Sequence, residues 1–236
     1  MTPSPAKKFK AAYAVIPVLV VVALLIAYFV VLPSINSHGF LSPNVTKPNV
    51  LASYHGSNPF VSFNLNKTGN VGIIFVAYDV NTSTFNSVTI NGNSRPFTFF
   101  EAAQGFFGPN VAITAFLMLN STAPGSYTVE APISSFSGSV ADLVVCDFGS
   151  HNVNGPASAS GNYTETVTLP SGYAVYLYFG ASVDDNLTTI GSPLATVTPY
   201  QGTPGTAADV YIGYSTSNSW TVSNSENDLN LAGVAY

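Results

Sequence analysis

Residues 71–78 read VGIIFVAY, a run in which almost every side chain is apolar. Residues 111–119 (VAITAFLML) and 173–179 (YAVYLYF) have the same character. The runs are short, rich in β-branched and aromatic residues and bounded by turn-forming residues, which is typical of strands. A strand that is apolar on both faces belongs at the centre of a sheet, beneath a second sheet or against a neighbouring subunit.

Short β-like runs continue on both sides of these three stretches, and no stretch after residue 33 has the 3.6-residue period of an amphipathic helix. Asn91-Gly92 follows one such run and is a strong hairpin signal. We predict strands at 60–65, 71–79, 85–90, 96–101, 111–119, 126–131, 139–148, 163–169, 173–182, 194–199, 208–216, 219–223 and 229–235. The pattern predicts an all-β fold, an antiparallel β-sandwich of the jelly-roll type.

Residues 149–162 (GSHNVNGPASASGN) read as a long loop between two groups of strands. No repeat is evident between 60–150 and 151–236. We therefore favour a single sandwich over 60–236, and the alternative is two smaller sandwiches divided near 149–162.

The order of elements resembles single β-sandwich modules of bacterial, archaeal and phage surface proteins. The resemblance is carried by an apolar strand, the hairpin SVTING (87–92), a second apolar strand, the strand GSYTV (125–129) and a final apolar strand (231–236). It implies a sandwich fold and a surface location, and no particular ligand.

The polar surface of this protein must be largely uncharged. Charged residues make up only 7% of the chain, whereas ordinary soluble domains contain about 25%. Beyond residue 33 three cations face eleven acids, a formal charge of −8. Such a surface repels phosphate backbones, so we expect no nucleic-acid partner.

Residues 11–32 (AAYAVIPVLVVVALLIAYFVVL) contain no charge and are long enough to cross a bilayer as a helix. Tyr13 and Tyr28 lie near the ends of the segment, where aromatic rings prefer the membrane interface. Pro17 falls in the first two turns, where a missing N–H costs least. We predict a single transmembrane helix.

The basic residues Lys7, Lys8 and Lys10 precede the helix, and none follows it directly. The positive-inside tendency places residues 1–10 in the cytoplasm or virion interior and the remainder outside. Residues 33–59, rich in Pro, Ser and Asn, are predicted to form an extended stalk below the β domain at 60–236. The alternative, a cleaved signal peptide, requires a shorter apolar region and a small-residue cleavage site.

The sequence around Ala14-Val15-Ile16-Pro17-Val18, preceded by Lys10, also resembles the start of archaeal type IV pilin-like proteins. The resemblance implies cleavage before the helix and packing of the helix in a filament core. Two features depart from that family: the glutamate near the helix start is absent, and Pro33 ends the helix early.

Asn-x-Ser/Thr sequons, the acceptors of N-linked glycans, all follow the apolar segment and lie in or beside predicted turns. They are Asn44, Asn66, Asn81, Asn120, Asn162 and Asn186. Their restriction to the predicted external side suggests glycosylation.

The sequence contains few residue patterns that are typical of catalytic or metal-binding sites. The three histidines lie in the predicted stalk or in loops, no nucleophile or zinc motif is present, and Cys146 falls in a strand-like run as a small buried side chain. We expect no enzyme and no cofactor. Acidic loops offer weak calcium candidates, for which solvated turns are the simpler interpretation: Asp184, Asp185, Glu226 and Asp228.

Tyr176 and Tyr178 share one face of a predicted strand, with Tyr173 and Phe179 on the other, and paired rings can stack on sugars. Packing between sheets explains the same pattern and is favoured. The sequence thus predicts a membrane-anchored surface protein with a structural or adhesive role. Its expected partners are the bilayer and copies of itself or other surface proteins, with glycans as a further option. The alternatives are a pilin-like filament subunit and a glycan-binding module.

Overall fold

Antiparallel strands make up the regular structure in a computed structural model of the chain. The structure describes residues 47–56, 58–80, 87–104, 111–131, 135–161, 164–182, 190–194, 209–223 and 229–236. These ranges contain sixteen strands and no helix, so the predicted all-β antiparallel fold is confirmed. The predicted basic tail (1–10) and transmembrane helix (11–32) lie outside the described residues.

The strands before residue 150 form a unit that we call repeat 1 (49–149). They are β1 (Asn49–Gly56), β2 (Phe60–Leu65), β3 (Gly69–Val80), β4 (Ser87–Ile90), β5 (Asn93–Pro96), β6 (Phe99–Gln104), β7 (Val111–Thr122), β8 (Gly125–Glu130) and β9 (Ser135–Gly149). Sheet I has the order β1-β9-β3-β7-β6, and sheet II has the order β2-β8-β4-β5.

The later strands form repeat 2 (154–235). They are β10 (Asn154–Gly161), β11 (Thr164–Thr168), β12 (Tyr176–Ser182), β13 (Ser192–Pro193), β14 (Asp209–Ser215), β15 (Ser219–Ser223) and β16 (Leu229–Ala235). Sheet III has the order β10-β16-β12-β14-β13, and sheet IV pairs β11 with β15.

The four sheets are layered in the order II, I, III, IV, with a hydrophobic core in each of the three spaces. The first core lies between sheets II and I and contains Phe63 and Phe75. The second lies between sheets I and III and contains Ile74 and Phe179. The third lies between sheets III and IV and contains the fully buried Trp220.

Strand β3 shows why the central strands are apolar on both faces. Ile73 and Phe75 belong to the first core, whereas Ile74 and Val76 belong to the second. Successive side chains of a strand point to opposite faces, so sheet I is buried on both sides. The prediction that such runs lie beneath a second sheet is confirmed, and the covering sheets belong to the same chain.

Repeat 1 and repeat 2 share one strand order. Sheet III corresponds strand by strand to sheet I, and β11-β15 of sheet IV corresponds to β2-β8 of sheet II. Among the described residues no sheet mixes strands of the two repeats, and only 150–153 join them. The described strands thus fall into two groups that divide near 149–162, and both groups belong to one compact unit. The single sandwich over 60–236 and the alternative of two smaller sandwiches both stay predictions.

The two repeats face each other with corresponding strands pointing the same way. The Phe148 ring at the end of β9 packs edge-on against Tyr236, which follows β16, with 5.0 Å between ring centroids. Counting back from these two residues pairs Asp142 with Asn230 as equivalent positions. Equivalent residues of the two repeats therefore lie at the same end of the domain.

The stalk predicted over 33–59 is too long, because Asn49–Gly56 forms β1 at the edge of sheet I. Strand β1 pairs antiparallel with β9, and Leu51 and Tyr54 pack against the first core. The neighbouring prolines suggested a connector, but the apolar side chains between them bury against the sheet. The predicted stalk residues 33–46 lie outside the described residues.

The hairpin predicted at Asn91-Gly92 is confirmed between β4 and β5. Both residues have positive φ, 49° and 77°, as a tight two-residue turn with the twist of the flanking strands requires. The Asn91 side chain adds a second role, because its Oδ1 accepts a 2.8 Å hydrogen bond from the Thr128 amide of β8. The turn thereby fixes β8 beside β4.

Candidate functional site

One end of the β domain gathers several chain segments, and we call it the entry end. The described chain begins there at Lys47, just before β1, and the turn after β2 (66–68) and the linker 150–153 lie at the same end. Tyr236 also reaches it, in contact with Phe148. Antiparallel pairing of β1 and β3 with β9 brings these segments together.

A cleft of about 470 Å³ opens at the entry end, and we call it the entry cleft. Its cationic and titratable lining comes from Lys47, Lys67 and His151, with Asp147 beside them. Its amide and apolar lining comes from Asn49, Asn64, Asn66, Leu51, Leu65 and Phe148. Three separate segments supply these groups: the start of β1 with the residues before it, the end of β2 with the turn after it, and the end of β9 with the residues after it.

The charges of the entry cleft are not neutralised internally. The single ion pair among the described residues joins His55 to Asp142, far from the cleft. Lys47 Nζ lies 5.8 Å from the centroid of the Tyr214 ring, within the range of a cation–π contact. Asp147 Oδ1 accepts a 2.7 Å hydrogen bond from the Gly149 amide, so this carboxylate serves the turn that follows β9.

A second, smaller cleft of about 330 Å³ lies next to the first and shares Gly149 with it. Asn70 organises this region: its Nδ2 donates a 3.0 Å hydrogen bond to the His151 carbonyl, and its Oδ1 accepts a 2.9 Å bond from the Ser121 amide. One buried amide side chain therefore ties β3 and β7 to the linker between the repeats.

Two of the six sequons fall on described residues, and both lie at the entry end. Asn66 is exposed in the turn after β2 and lines the entry cleft, whereas Asn120 is exposed near the end of β7 and lines the second cleft. Both positions are sterically open to a glycan. The remaining sequons, Asn44, Asn81, Asn162 and Asn186, lie outside the described residues.

The tyrosines considered as a sugar platform are core residues. Tyr176 and Tyr178 are buried in the third core beneath sheet IV, whereas Phe179 faces the second core. Tyr173 packs with the third core, on the same side as Tyr176, because β12 begins only at Tyr176 and the strand alternation does not extend back to residue 173. Packing between sheets, the favoured interpretation, accounts for these rings.

The weak calcium candidates Asp184, Asp185, Glu226 and Asp228 lie outside the described residues, as do the anchor residues Lys7, Lys8, Lys10, Tyr13, Pro17 and Tyr28. In the part of the chain that the structure describes, no three His, Cys, Asp or Glu side chains cluster as metal ligands would. The same part contains no helix of the length and apolarity that a membrane crossing needs. Cys146 is buried in the second core, and burial raises the pKa of its thiol.

A polar pair with one buried member was not predicted from the sequence, in which His55 was assigned to the stalk. His55 Nδ1 lies 2.5 Å from Asp142 Oδ1 across the β1–β9 pair, while Asp142 is only 2% exposed. Burial raises the pKa of Asp142 to about 6, against the opposing effect of the hydrogen bond from His55. The other carboxylate oxygen, Oδ2, is buried without a hydrogen-bond partner.

The equivalent position in repeat 2 carries a neutral group with complete hydrogen bonding. Asn230 Oδ1 accepts a 3.0 Å bond from Thr114, and its Nδ2 donates to the carbonyls of Ala112 and Glu101 at 3.0 and 3.2 Å. Ser160 stands where His55 stands in repeat 1, and its hydroxyl donates a 2.6 Å bond to Glu101 Oε1. These bonds tie repeat 2 to sheet I across the second core.

Comparison with known proteins gives no relative of this chain: no protein-family model, no curated protein and no solved structure matches it.

Proposed function

We propose that this protein is a membrane-anchored surface protein with a structural or adhesive role, in which the apolar segment 11–32 holds the β domain outside the cell or virion. The basic residues before that segment support this orientation. The observation that carries the proposal is the chemistry of the two outer faces of the β stack.

The outer face of sheet IV is a ladder of paired hydroxyls. Thr166 and Thr221 lie 2.8 Å apart, and the Thr164–Ser223 pair, at 3.0 Å, continues the row. Sheet II also carries uncharged pairs: the Ser94 hydroxyl donates a 3.2 Å bond to the Ser87 hydroxyl, and the Ser126 hydroxyl donates a 2.6 Å bond to the side chain of Asn64. Neutral hydroxyl pairs replace the charges that cover ordinary soluble domains, which supports a location outside the cytoplasm.

The topology of repeat 1 supports the same proposal at the level of fold analogy. Strands β1-β9-β3-β7 and β2-β8-β4-β5 have the order expected of the two sheets of a jelly roll. Jelly rolls occur in viral capsid proteins and lectins, among other proteins. Fold analogy does not establish function, but it agrees with the predicted surface location.

The apolar runs in the sequence suggested assembly through exposed apolar faces, but in the structure these runs are covered by other sheets of the same chain. Both faces of sheets I and III are covered within the chain, and Phe60, 48% exposed, is the one large exposed apolar side chain among the described residues. A partner would therefore meet the polar outer faces or the entry end.

Protease added to intact cells or particles tests the proposal. We expect peptides from 47–236 to be released, whereas residues 1–10 stay protected until the membrane is dissolved. The reverse pattern, a protected β domain and a digested lysine-rich tail, would contradict the orientation. Mass spectrometry of the mature amino terminus completes the test, since a start between residues 11 and 14 would instead favour a pilin-like subunit.

A further inference from the structure

We propose that the entry cleft is a binding site for an acidic saccharide, a sugar that carries carboxylate or sulfate groups. The proposal goes beyond surface display and starts from the placement of charge. Lys47 and Lys67 are two of the three cations that follow residue 33 in a part of the chain with formal charge −8. Both line this one cleft.

Neither lysine is paired with a carboxylate in the described part of the chain. Both are exposed, and the Asp147 carboxylate that shares the cleft accepts a hydrogen bond from the Gly149 amide. Two lysines against one carboxylate, Asp147, leave the lining with a net positive charge, which attracts an anion more strongly in a cleft than on an open surface. The acidic remainder of the domain focuses an anionic ligand on this place.

The rest of the lining favours a sugar over a simple inorganic anion. Leu51 and the buried Leu65 and Phe148 provide an apolar floor that suits the C–H face of a sugar ring. The exposed amides of Asn49 and Asn66 provide both donors and acceptors for hydroxyl groups. The volume of about 470 Å³ lies in the usual range of small-ligand sites, about 300–1,000 Å³.

The apolar part of the cleft is carried by strands. Leu51 belongs to β1, Leu65 ends β2, and Phe148 lies near the end of β9, held edge-on by Tyr236. Strand-borne groups keep their positions, so binding requires little ordering of the protein. Pre-organisation of this kind favours a specific ligand over diffuse attraction of counterions.

A lipid headgroup is the less suitable occupant on chemical grounds. The negative surface potential of membranes belongs mainly to the cytoplasmic leaflet, whereas the proposed orientation puts the cleft outside. This step alone rests on the proposed function. The saccharide itself has two sources, a polymer of the surroundings or the glycan of the chain's own Asn66, which stands at the rim of the cleft.

The experiment measures binding of trigalacturonate to the full chain in detergent micelles by isothermal titration calorimetry. The methyl-esterified trisaccharide, with the same shape and no charge, is the matched control ligand. We expect K47Q and K67Q each to weaken binding of the acidic trisaccharide about tenfold, because each removes a charge-assisted contact. R95Q removes the third cation, which lies on β5 outside the cleft, and should leave binding unchanged.

Four results would overturn the proposal: no measurable binding, equal binding of the ester, equal weakening by R95Q, or binding to phosphatidylglycerol vesicles with none to the trisaccharide. Unchanged melting temperatures of the lysine variants exclude a folding defect, since both side chains are exposed. The outcome is independent of the protease experiment, so the saccharide site and the surface orientation can fail separately.

The variant T68A separates the two sources, because it removes the sequon of Asn66 and keeps the amide in the cleft. In chain purified from its own host, stronger binding of trigalacturonate by T68A identifies the attached glycan as the natural occupant. Unchanged binding identifies a saccharide from the surroundings. Both results support the acidic-saccharide site, and weaker binding by T68A would contradict it, because Thr68 does not line the entry cleft.

Discussion

Repeat 1 and repeat 2 share a strand order but fill their outer cores with different side chains. In repeat 1 four strands of sheet II cover sheet I, and the first core is built mainly from aliphatic residues and phenylalanine. In repeat 2 two described strands of sheet IV cover sheet III, and tyrosines surround Trp220 in the third core. Among the described residues, the two strands of sheet IV are thus combined with larger side chains than the four strands of sheet II.

The local sequences show which side chains occupy corresponding positions in the two outer cores. Residues 126–129 (SYTV) of β8 and 219–222 (SWTV) of β15 occupy corresponding strands. Tyr127 is half-buried and stacks on Phe63 with 5.3 Å between centroids, whereas Trp220 lies between Tyr178 and Tyr211 at 5.7 and 5.2 Å. Corresponding positions therefore carry a fully buried ring in repeat 2 and a half-buried ring in repeat 1.

The largest expected effect tests this contrast with W220A and its counterpart Y127A. Removing the fully buried indole leaves a cavity and should lower the free energy of unfolding by about 3–5 kcal/mol. Y127A should cost about half as much, because part of that ring is already exposed to water. Guanidinium unfolding followed by circular dichroism measures both, since Trp220 is the one tryptophan and fluorescence would be lost. Equal costs would show that the two outer cores carry equal weight.

The second test concerns Asp142, whose equivalent in repeat 2 is Asn230. The folded-state pKa of about 6 exceeds the unfolded value of 3.8, so the folded protein binds this proton more tightly. The group's contribution to stability is therefore complete below about pH 4 and is lost as the pH rises through 6. A shift of about two units corresponds to about 3 kcal/mol.

D142N removes that titration while keeping the shape of the side chain. We expect the difference in unfolding free energy between variant and wild type to grow in favour of the variant from pH 4 to pH 7, by up to about 3 kcal/mol. Urea unfolding at a series of pH values measures it. A difference that stays constant across this range would show that Asp142 does not titrate with a raised pKa.

The smallest of the three effects concerns the hydrogen bonds by which Asn230 joins repeat 2 to sheet I. N230A leaves the Ala112 and Glu101 carbonyls without their side-chain donor in a buried place and should cost about 1–3 kcal/mol. T114V, which removes only the hydroxyl contact to Asn230, should cost less. If the double variant costs no more than N230A alone, the two groups act as one unit; strict additivity would argue against the tie.

The strands that the sequence predicted well are those with a regular pattern. Strand β2 alternates between exposed and buried residues along its whole length, and β15 does so over most of its length. The doubly apolar runs correctly indicated covered sheets. The periodicity of a strand records which residues face the core and which face solvent, so such patterns can be recognised in the local sequence.

The parts that the sequence did not predict depend on distant partners or on weak patterns. Strand β10 (NGPASASG) reads as a loop because small residues and proline dominate it, and it becomes a strand by pairing with β16. His55 and Asp142 are 87 positions apart, so only the β1–β9 register brings them together. The entry cleft likewise combines three remote segments.

The common strand order of the two repeats could not be predicted from the sequence for a related reason. Beyond SYTV and SWTV the equivalent positions share little identity: Leu143 matches Leu231, but Asp142 corresponds to Asn230 and Phe148 to Tyr236. Burial selects for apolar or polar character at each position and tolerates many residues of that character. Two units can therefore share a strand order without recognisable sequence similarity.

The position of β1 has a mechanical consequence. The polypeptide joins the β domain at the start of this strand, which lies along the direction of its partner β9 over the whole register from Asn49↔Asp147 to Gly56↔Ala141. When a protein tethered by its amino terminus is pulled from the opposite end, the load acts along β1 and stresses all of its ladder bonds together in shear. A strand entering from the side would instead be peeled away one bond at a time. The register thus makes the β1–β9 bonds share such a load in parallel.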